Sequence, residues 1–591
     1  MSATFVDPAG LAEVANTIRT VARHLEPSPV EVRFVADRVS GPAGAELAQL
    51  ARRMDDVVDR LGALGKVVAF VGQSFAATEE RVAGSLSSST PMVTYTDLAG
   101  IGDLLSAMEP AALEALLTGS PALAQLVVER PLAAEPGSPA AVLLAVLRSG
   151  EPATVVLLKA RALLVGLSDA ARRRLALLHP ALVSNLASAP VGDRIVATRV
   201  LVSAALAGTS DESRRRRYAE LLTGTVTLTR PDGTQLVRPH QLLSFDPRGD
   251  GRVVEVFGDL TTARHLAVYV PGTGTSLDRY AGNAERASSF AAAEQDLAVV
   301  LWQNADFPDQ PLDDVVPPTG LWDRPVRAVE YQLRAHVLAA AYRDAADRAG
   351  PILARDVEGL RMAAPGPAAD LTVLGHSYGG SIVGSAEAHG LVADRVVHIA
   401  SAGAYVSNVH DYAAGECGTR RFSMTTADDP IQLAQGAGFG SLDQVGHSLR
   451  TVSGVLPGPF KALTGPLTGV AVATSSNPLQ AGHGLDPDLI PAVTRLDTGV
   501  RPDGVTLVRG HGGMFEPGSS AWRNLVAVMH GDPVQVLEPE RWHRELVPAG
   551  VGPQGVSVPH YVVTRSPYDA PGYSPPVQPS TGRVCSDHGS W

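Results

Sequence analysis

Cysteine is almost absent from this 591-residue chain: only Cys417 and Cys585 occur, which leaves no disulfide framework and no cysteine-rich metal site. Lysine is nearly as scarce, with Lys66, Lys159 and Lys461 alone among 49 lysine and arginine residues. Positive charge is not in excess either. The formal net charge is −12 at pH 7, the wrong sign for general binding to nucleic acid or an anionic membrane. Two arginine runs, Arg172 to Arg174 and Arg214 to Arg217, lie in polar, helical-looking stretches and read as solvated faces. No run of about eighteen apolar residues is uninterrupted, so no transmembrane helix is expected. Residues 1–10 lack the basic start and apolar segment of a secretory signal. The default expectation is a cytoplasmic protein.

What is present is an ordinary globular balance, 45% apolar and 19% charged, in a chain longer than one core usually supports. Residues 1–90 read as a helical hairpin. Asp7-Pro8 is a start signal, because Asp can cap and Pro fits the first helical position. Leu11, Val14, Ile18, Val21 and Leu25 then recur at spacings of three and four. After a break near Pro27 to Gly44, Leu47, Leu50, Met54, Val57, Leu61, Leu64, Val68, Val71 and Phe75 do the same. Each set makes a narrow apolar seam that must be buried by another helix, in this chain, in a second copy, or in a partner protein. The segment resembles the small helical-hairpin proteins handled by type VII secretion systems, which implies export by such a route as the alternative to a cytoplasmic location. It departs from them in having no Trp-x-Gly turn, and Phe75, four before Glu79, stands where the export-signal tyrosine would be.

Gly84 to Thr90 reads as a linker. Residues 91–222 continue helical, for example Ile101 to Leu117 and Ala140 to Leu147, and are expected to form a structural bundle. From Gly224 the periodicity changes. Thr225 to Arg230 and Thr234 to Val237 flank a Pro-Asp-Gly turn, and Gln241 to Phe245 and Arg252 to Val256 flank a Gly-Asp-Gly turn. Short apolar runs follow at Leu266 to Val270, Leu297 to Trp302, Leu371 to Leu374, Arg395 to Ile399, Arg421 to Thr425 and Val505 to Val508. A long helical stretch, Val326 to Ala349, lies among them. Continuous apolar strands alternating with helices predict a mostly parallel sheet covered on both faces, here over residues 223–545.

Chemistry concentrates in Gly375-His376-Ser377-Tyr378-Gly379. It directly follows the apolar strand Leu371 to Leu374 and precedes a small-residue helix starting near Ser381. That context, strand then sharp turn then helix, is what lifts a serine hydroxyl above a sheet. Gly446-His447-Ser448-Leu449-Arg450 lacks the second glycine and a preceding strand, so Ser377 is the expected nucleophile. Its acid partner should follow the strand ending near Thr426, where Asp428-Asp429-Pro430 stand. Either carboxylate could reach, and Asp429 is preferred because Pro430 would pin the backbone beside it. The general base should follow the last strand. His511, after Val505 to Val508, is preferred over His483, which no strand precedes. Oxyanion donors are expected from the N–H of Tyr378 and, in the loop Val270-Pro271-Gly272-Thr273-Gly274, of Thr273. No G-x-x-x-x-G-K-[ST] or G-x-G-x-x-G motif is present, and neither a cofactor nor a metal is implied.

These residues together resemble an actinobacterial α/β-hydrolase family long catalogued as a domain of unknown function. The likeness spans about Gln241 to Gly531. It includes Phe245-Asp246-Pro247, Gly249-Asp250-Gly251, Gly258-Asp259, the Val-Pro-Gly-x-Gly loop, Gly-His-Ser-Tyr-Gly, and His511 followed by Phe515, Gly518-Ser519 and Asn524-Leu525. It implies the α/β-hydrolase fold, here preceded by an all-helical N-terminal region, and an ester-type serine hydrolase acting on an acyl ester. Transfer of the acyl group to another acceptor, or a secretion-linked effector with the hydrolase as cargo, are the alternatives. One departure is Ala400-Ser401-Ala402-Gly403, where the family usually has glycine-serine-proline-glycine. Residues 431–496, glycine-rich and weakly periodic, are expected as a lid, with Trp322 in an opposite wall. The proline-rich residues 546–591 are expected as a tail without a core.

Overall fold

In the computed structural model, residues 108–581 are described apart from 130–135, 309–324, 364–368, 407–408, 414–417, 430, 432–482, 491, 548–550, 553–554 and 557–559. Side chains are described outside 325–342 and 544–562. Before residue 108 only Ala48, Gln49, Ala51, Arg52, Leu105 and Ser106 are described. Apart from Ala48, Gln49, Ala51 and Arg52, the expected hairpin over 1–90 lies outside the described residues, as do most of the expected lid and Trp322.

The described helices before the first strand are α1 (Pro110–Gly119), α2 (Pro121–Glu129), α3 (Pro139–Leu147), α4 (Ala153–Val165), α5 (Asp169–Leu178), α6 (Pro180–Ser184), α7 (Val191–Gly208) and α8 (Glu212–Thr223). Four of these begin on proline, which needs no helical N–H partner in the first turn. Ile101 to Leu117 was expected as a single helix. The structure instead starts α1 at Pro110, with Glu109 extended before it, as the residue before a proline prefers. The chain divides into two compact units, and the stretch 91–222 is shared between them. One unit contains α1, α2, α5, residues 200–208 of α7 and 212–218 of α8. Within it Leu113 and Leu117 are fully buried, and Ser203 Oγ donates to the Leu117 carbonyl at 2.8 Å. Among the described residues no single helix is long and apolar enough to cross a membrane. Only α1 and α2, bent by 106°, meet the length and composition test as a pair.

The other unit holds the sheet. A hairpin of β1 (Thr225–Thr229) and β2 (Gln235–Pro239) leads to β3 (Gln241–Asp246), β4 (Arg252–Phe257), β5 (His265–Val270), α9 (Tyr280–Ala293), β6 (Leu297–Gln303), α10 (Pro325–Ala363), β7 (Asp370–His376), α11 (Tyr378–Ala388), β8 (Arg395–Ile399), β9 (Arg420–Met424) and β10 (Val493–Arg495). Eight strands lie in the order β10-β9-β8-β7-β5-β6-β4-β3. The six from β6 to β10 pair in parallel, and β3 and β4 are antiparallel. The expected α/β-hydrolase fold is therefore the observed one. Its central strands are buried, since helices cover both faces: every residue of β6 is buried, each large apolar side chain there contributing about 1.5–3 kcal/mol. Helix α10 was expected to end at Ala349 but continues past Pro351. Leu353, Val357 and Leu360 extend its apolar stripe into the core, which offsets the cost of an interior proline.

Two expectations are corrected. Val505 to Val508 is not a strand; Val505 is 81% exposed and Leu507 makes only an isolated bridge to Val500. Asp503 accounts for this. Its carboxylate accepts from the N–H groups of Val505 and Thr506 at 3.0 and 2.9 Å, holding a surface turn that strand propensity does not overcome. The last parallel strand is β10, inside the segment expected to be lid. The tail is corrected as well. After α12 (Ser520–His530), β11 (Val534–Gln535) pairs with β16 (Val577–Gln578) and β12 (His543–Val547) with β15 (His560–Arg565). A short hairpin, β13 (Val551–Gly552) with β14 (Gly555–Val556), lies between the latter two. Prolines in this stretch give no N–H but still accept: Val536 N–H bonds the Pro576 carbonyl at 2.8 Å. Tyr568 hydroxyl bonds Asp497, and burial raises the Asp497 carboxyl to about 6.

In the middle of β8, His398 is buried with neither ring nitrogen bonded among the described residues. Burial, with the Arg421 charge beyond it, lowers its pKa from 6.5 to about 3. The unfolded chain takes up that proton below 6.5 and the folded one does not, so stability falls as pH drops through 6.5. His398→Leu, similar in volume, is expected to be the more stable protein. Its advantage should grow by about 2 kcal/mol between pH 7 and pH 5. Urea melts at the two pH values measure it, and a constant difference contradicts the assignment.

Candidate active site

β7 delivers the serine. Its last residues are fully buried, and α11 starts at once with Tyr378. Between them Ser377 adopts φ 57° and ψ −125°, a region that costs a non-glycine residue about 1–3 kcal/mol. Surrounding backbone holds it there: Ser377 N–H donates to the Ile399 carbonyl at 2.9 Å, and its own carbonyl accepts from Ala402 at 3.1 Å. In the neighbouring turn, where the sequence departs from the family's pattern, Ala400 takes a positive φ of 42°. Neighbouring glycines are explained by contact. A Cβ on Gly379 would fall 2.9 Å from the Val270 carbonyl carbon at the end of β5. One on Gly272 would stand 2.6 Å from Ser377 Cβ and 3.1 Å from its Oγ. The loop after β5 therefore touches the serine directly. It is shaped by Gly274 N–H on the Pro308 carbonyl at 2.7 Å and Thr275 Oγ1 on the Gly272 carbonyl at 2.6 Å. Thr273 lies in this loop. Tyr378 is the first residue of α11.

The loop after β9 supplies the carboxylates, and the structure separates them. Asp429 is buried, and its two oxygens lie 3.0 and 3.1 Å from His511 Nδ1. Ile431 N–H fixes Oδ1 from the other side at 2.9 Å. Asp428 turns instead to the backbone, accepting from Gly510 N–H at 2.9 Å, and Thr426 Oγ1 donates to the Gly510 carbonyl at 3.2 Å. One aspartate thus faces the imidazole and the other anchors the loop that carries it. His511 is one-third exposed, its partner not at all.

The structure joins this pair to the serine's neighbour. His376 Nε2 lies 3.1 Å from the His511 carbonyl, and the two rings are 4.7 Å apart. Phe515 meets His376 edge-on at 4.8 Å, with the Arg286 guanidinium over Phe515 at 4.5 Å. Burial, then the charges of His511 and Arg286, hold His376 well below the ordinary histidine value. A neutral ring can donate from Nε2 and position the His511 backbone. Sequence reasoning passed over His376, which occupies a variable place in the motif; only its burial reveals the contact. Among the described residues Ser377 Oγ makes no hydrogen bond to His511, a gap common before substrate binds.

His483 lies elsewhere. It is buried beside α11, with Nδ1 3.2 Å from Ser381 Oγ and its ring 5.8 Å from that of Tyr378. Burial, then Arg343, bring it down to about 4. It is 1% exposed.

Residues 246–438 match a family model described as alpha/beta hydrolase. Two uncharacterized proteins from strains of Mycobacterium tuberculosis are each 26% identical over 405 residues, covering 62% of this chain and 54% of the relative. The chain spans about half the length of these relatives. Sheet order and family match agree that the chain contains an α/β-hydrolase domain.

Proposed function

We infer that this domain is a serine hydrolase cleaving carboxylic esters through an acyl-enzyme. The observation that carries the reading is the buried Asp429 carboxylate on His511 Nδ1, on loops at the same sheet edge as the positive-φ Ser377. In the proposed reaction Ser377 Oγ attacks the ester carbonyl while His511 Nε2 takes its proton. The tetrahedral oxyanion is held by the N–H groups of Thr273 and Tyr378. His511 returns the proton to the leaving alcohol, and the C–O bond breaks. Water, deprotonated by His511, then attacks the acyl-enzyme and releases the acid and Ser377. Asp429 holds the imidazole in the tautomer that presents Nε2 and stabilises its cation. No step calls on a cofactor.

A series of p-nitrophenyl esters of increasing acyl length tests the substrate class. Turnover of at least the short esters is expected, with Ser377→Ala at the background rate. Equal turnover by wild type and Ser377→Ala contradicts the proposal.

A further inference from the structure

Far from the proposed catalytic loops, a second group of titratable side chains meets at the opposite edge of the sheet. His265 opens β5, Asp296 immediately precedes β6, and His530 is the last residue of α12. β5 is in register with both neighbours, His265 opposite Asp370 and Leu297. One ligand atom from each of His265, Asp296 and His530 lies within 4.8 Å of the other two. Seven residues of β7, Asp370 to His376, separate this edge from Ser377, a span of about 20 Å. The cluster therefore has no part in the reaction proposed above.

How the imidazoles are held distinguishes this group from an ordinary ion pair. His265 Nδ1 is 2.8 Å from Asp370 Oδ1, and the Arg395 guanidinium lies 2.6 Å from the other Asp370 oxygen. His530 Nδ1 is 2.9 Å from Asp532 Oδ2. Each ring thus donates its Nδ1 proton to a carboxylate and turns Nε2 toward Asp296, at 3.9 Å for His265 and 3.3 Å for His530. Two ring nitrogens aimed at one carboxylate, each backed by another, is the arrangement that orients histidines on a metal. The rings are 4.3 Å apart, and all three side chains are partly exposed. Ligands 2.0–2.1 Å from a tetrahedral ion stand about 3.3 Å apart, so modest inward rotation completes the set. The local field favours a cation. Asp296 and Asp532 stand 3.3 and 2.9 Å from the two ring nitrogens of His530. The C-terminal end of α12 adds its negative dipole.

We propose that His265 Nε2, His530 Nε2 and the Asp296 carboxylate bind one divalent transition-metal ion of the zinc type, clipping the end of α12 to the start of β5 and β6. Two imidazoles and one carboxylate suit zinc and its neighbours and disfavour magnesium and calcium. A fourth position is left for water. Sequence reading implied no metal here because the ligands are spread over 265 positions with no motif spacing; only strand register and helix packing bring them together.

The test uses full-length protein stripped with chelator. Zinc titration of the wild type should show one tight site and raise Tm by a few degrees, with no response to magnesium. Cobalt(II) should give the visible bands of a tetrahedral site without the thiolate charge-transfer band that Cys417 or Cys585 would add. Asp296→Asn and His530→Gln should weaken zinc by at least tenfold and lose the Tm response, while their metal-free melting and circular dichroism stay near wild type. Absence of a tight zinc site in the wild type overturns the proposal. So does an unchanged zinc affinity in both variants.

Discussion

His511→Ala is expected to reduce ester turnover by on the order of a thousandfold or more, whereas His483→Ala stays within about tenfold of wild type. Both histidines stand in a Gly-His-Gly and both follow the serine in sequence, so composition alone treats them alike. Their surroundings do not. His511 is partly exposed, its Nδ1 is on a buried carboxylate, and its Nε2 is the nitrogen that the proposed reaction uses. Burial lowers His483 to about 4, so it is a poor proton acceptor at neutral pH. Its 1% exposure leaves no route for a leaving group. Members of a triad act as a unit, so losing the base costs nearly as much as losing the nucleophile. The measurement is kcat on a short ester for both variants, with circular dichroism to verify folding. A reversed ranking would place the base beside α11 and overturn the assignment of His511.

Asp429→Asn is expected to lower kcat by on the order of ten-thousandfold with the fold intact, and Asp428→Asn to stay within about tenfold of wild type. An amide at 429 cannot stabilise an imidazolium, and its NH2 would favour the wrong tautomer on His511. At 428 the requirement is only an acceptor for the Gly510 N–H, and an asparagine carbonyl supplies one. The contrast rests on hydrogen-bond chemistry, since the two residues are adjacent and bear the same charge. Steady-state kinetics on both variants decides it. Equal losses would mean that Asp428 does more than hold the loop.

Much of this site is legible from the chain because its signals are local. Leu371 to Leu374 is an unbroken apolar run that ends on glycine, and a small-residue segment follows; strand, turn and helix are each written within a few residues of Ser377. The choice between Asp428 and Asp429 was half legible. Proximity to a strand end marks the pair, but the orientation of each carboxylate depends on Gly510 and His511, more than eighty positions away. β10 was illegible for a different reason. Val493-Thr494-Arg495 is short and mixed, and it becomes a strand only because β9 offers an unpaired edge. Val505 to Val508 has the better composition yet is held at the surface by Asp503. His511 nonetheless lies on a loop that comes after β10, the last parallel strand. His376 and the His265, Asp296 and His530 group share one property: their partners are distant in sequence, so their meaning appears only with the packing.

The central claim is that Ser377 is an activated nucleophile, and covalent capture tests it most directly. Full-length protein is treated with a fluorophosphonate, digested, and the adduct located by mass spectrometry. The account predicts one phosphonyl group, on the peptide containing Gly375 to Gly379 and borne by Ser377, with labelling abolished in Ser377→Ala and strongly slowed in His511→Ala. An adduct on another serine, such as Ser381 or Ser401, or undiminished labelling of Ser377→Ala, would contradict it.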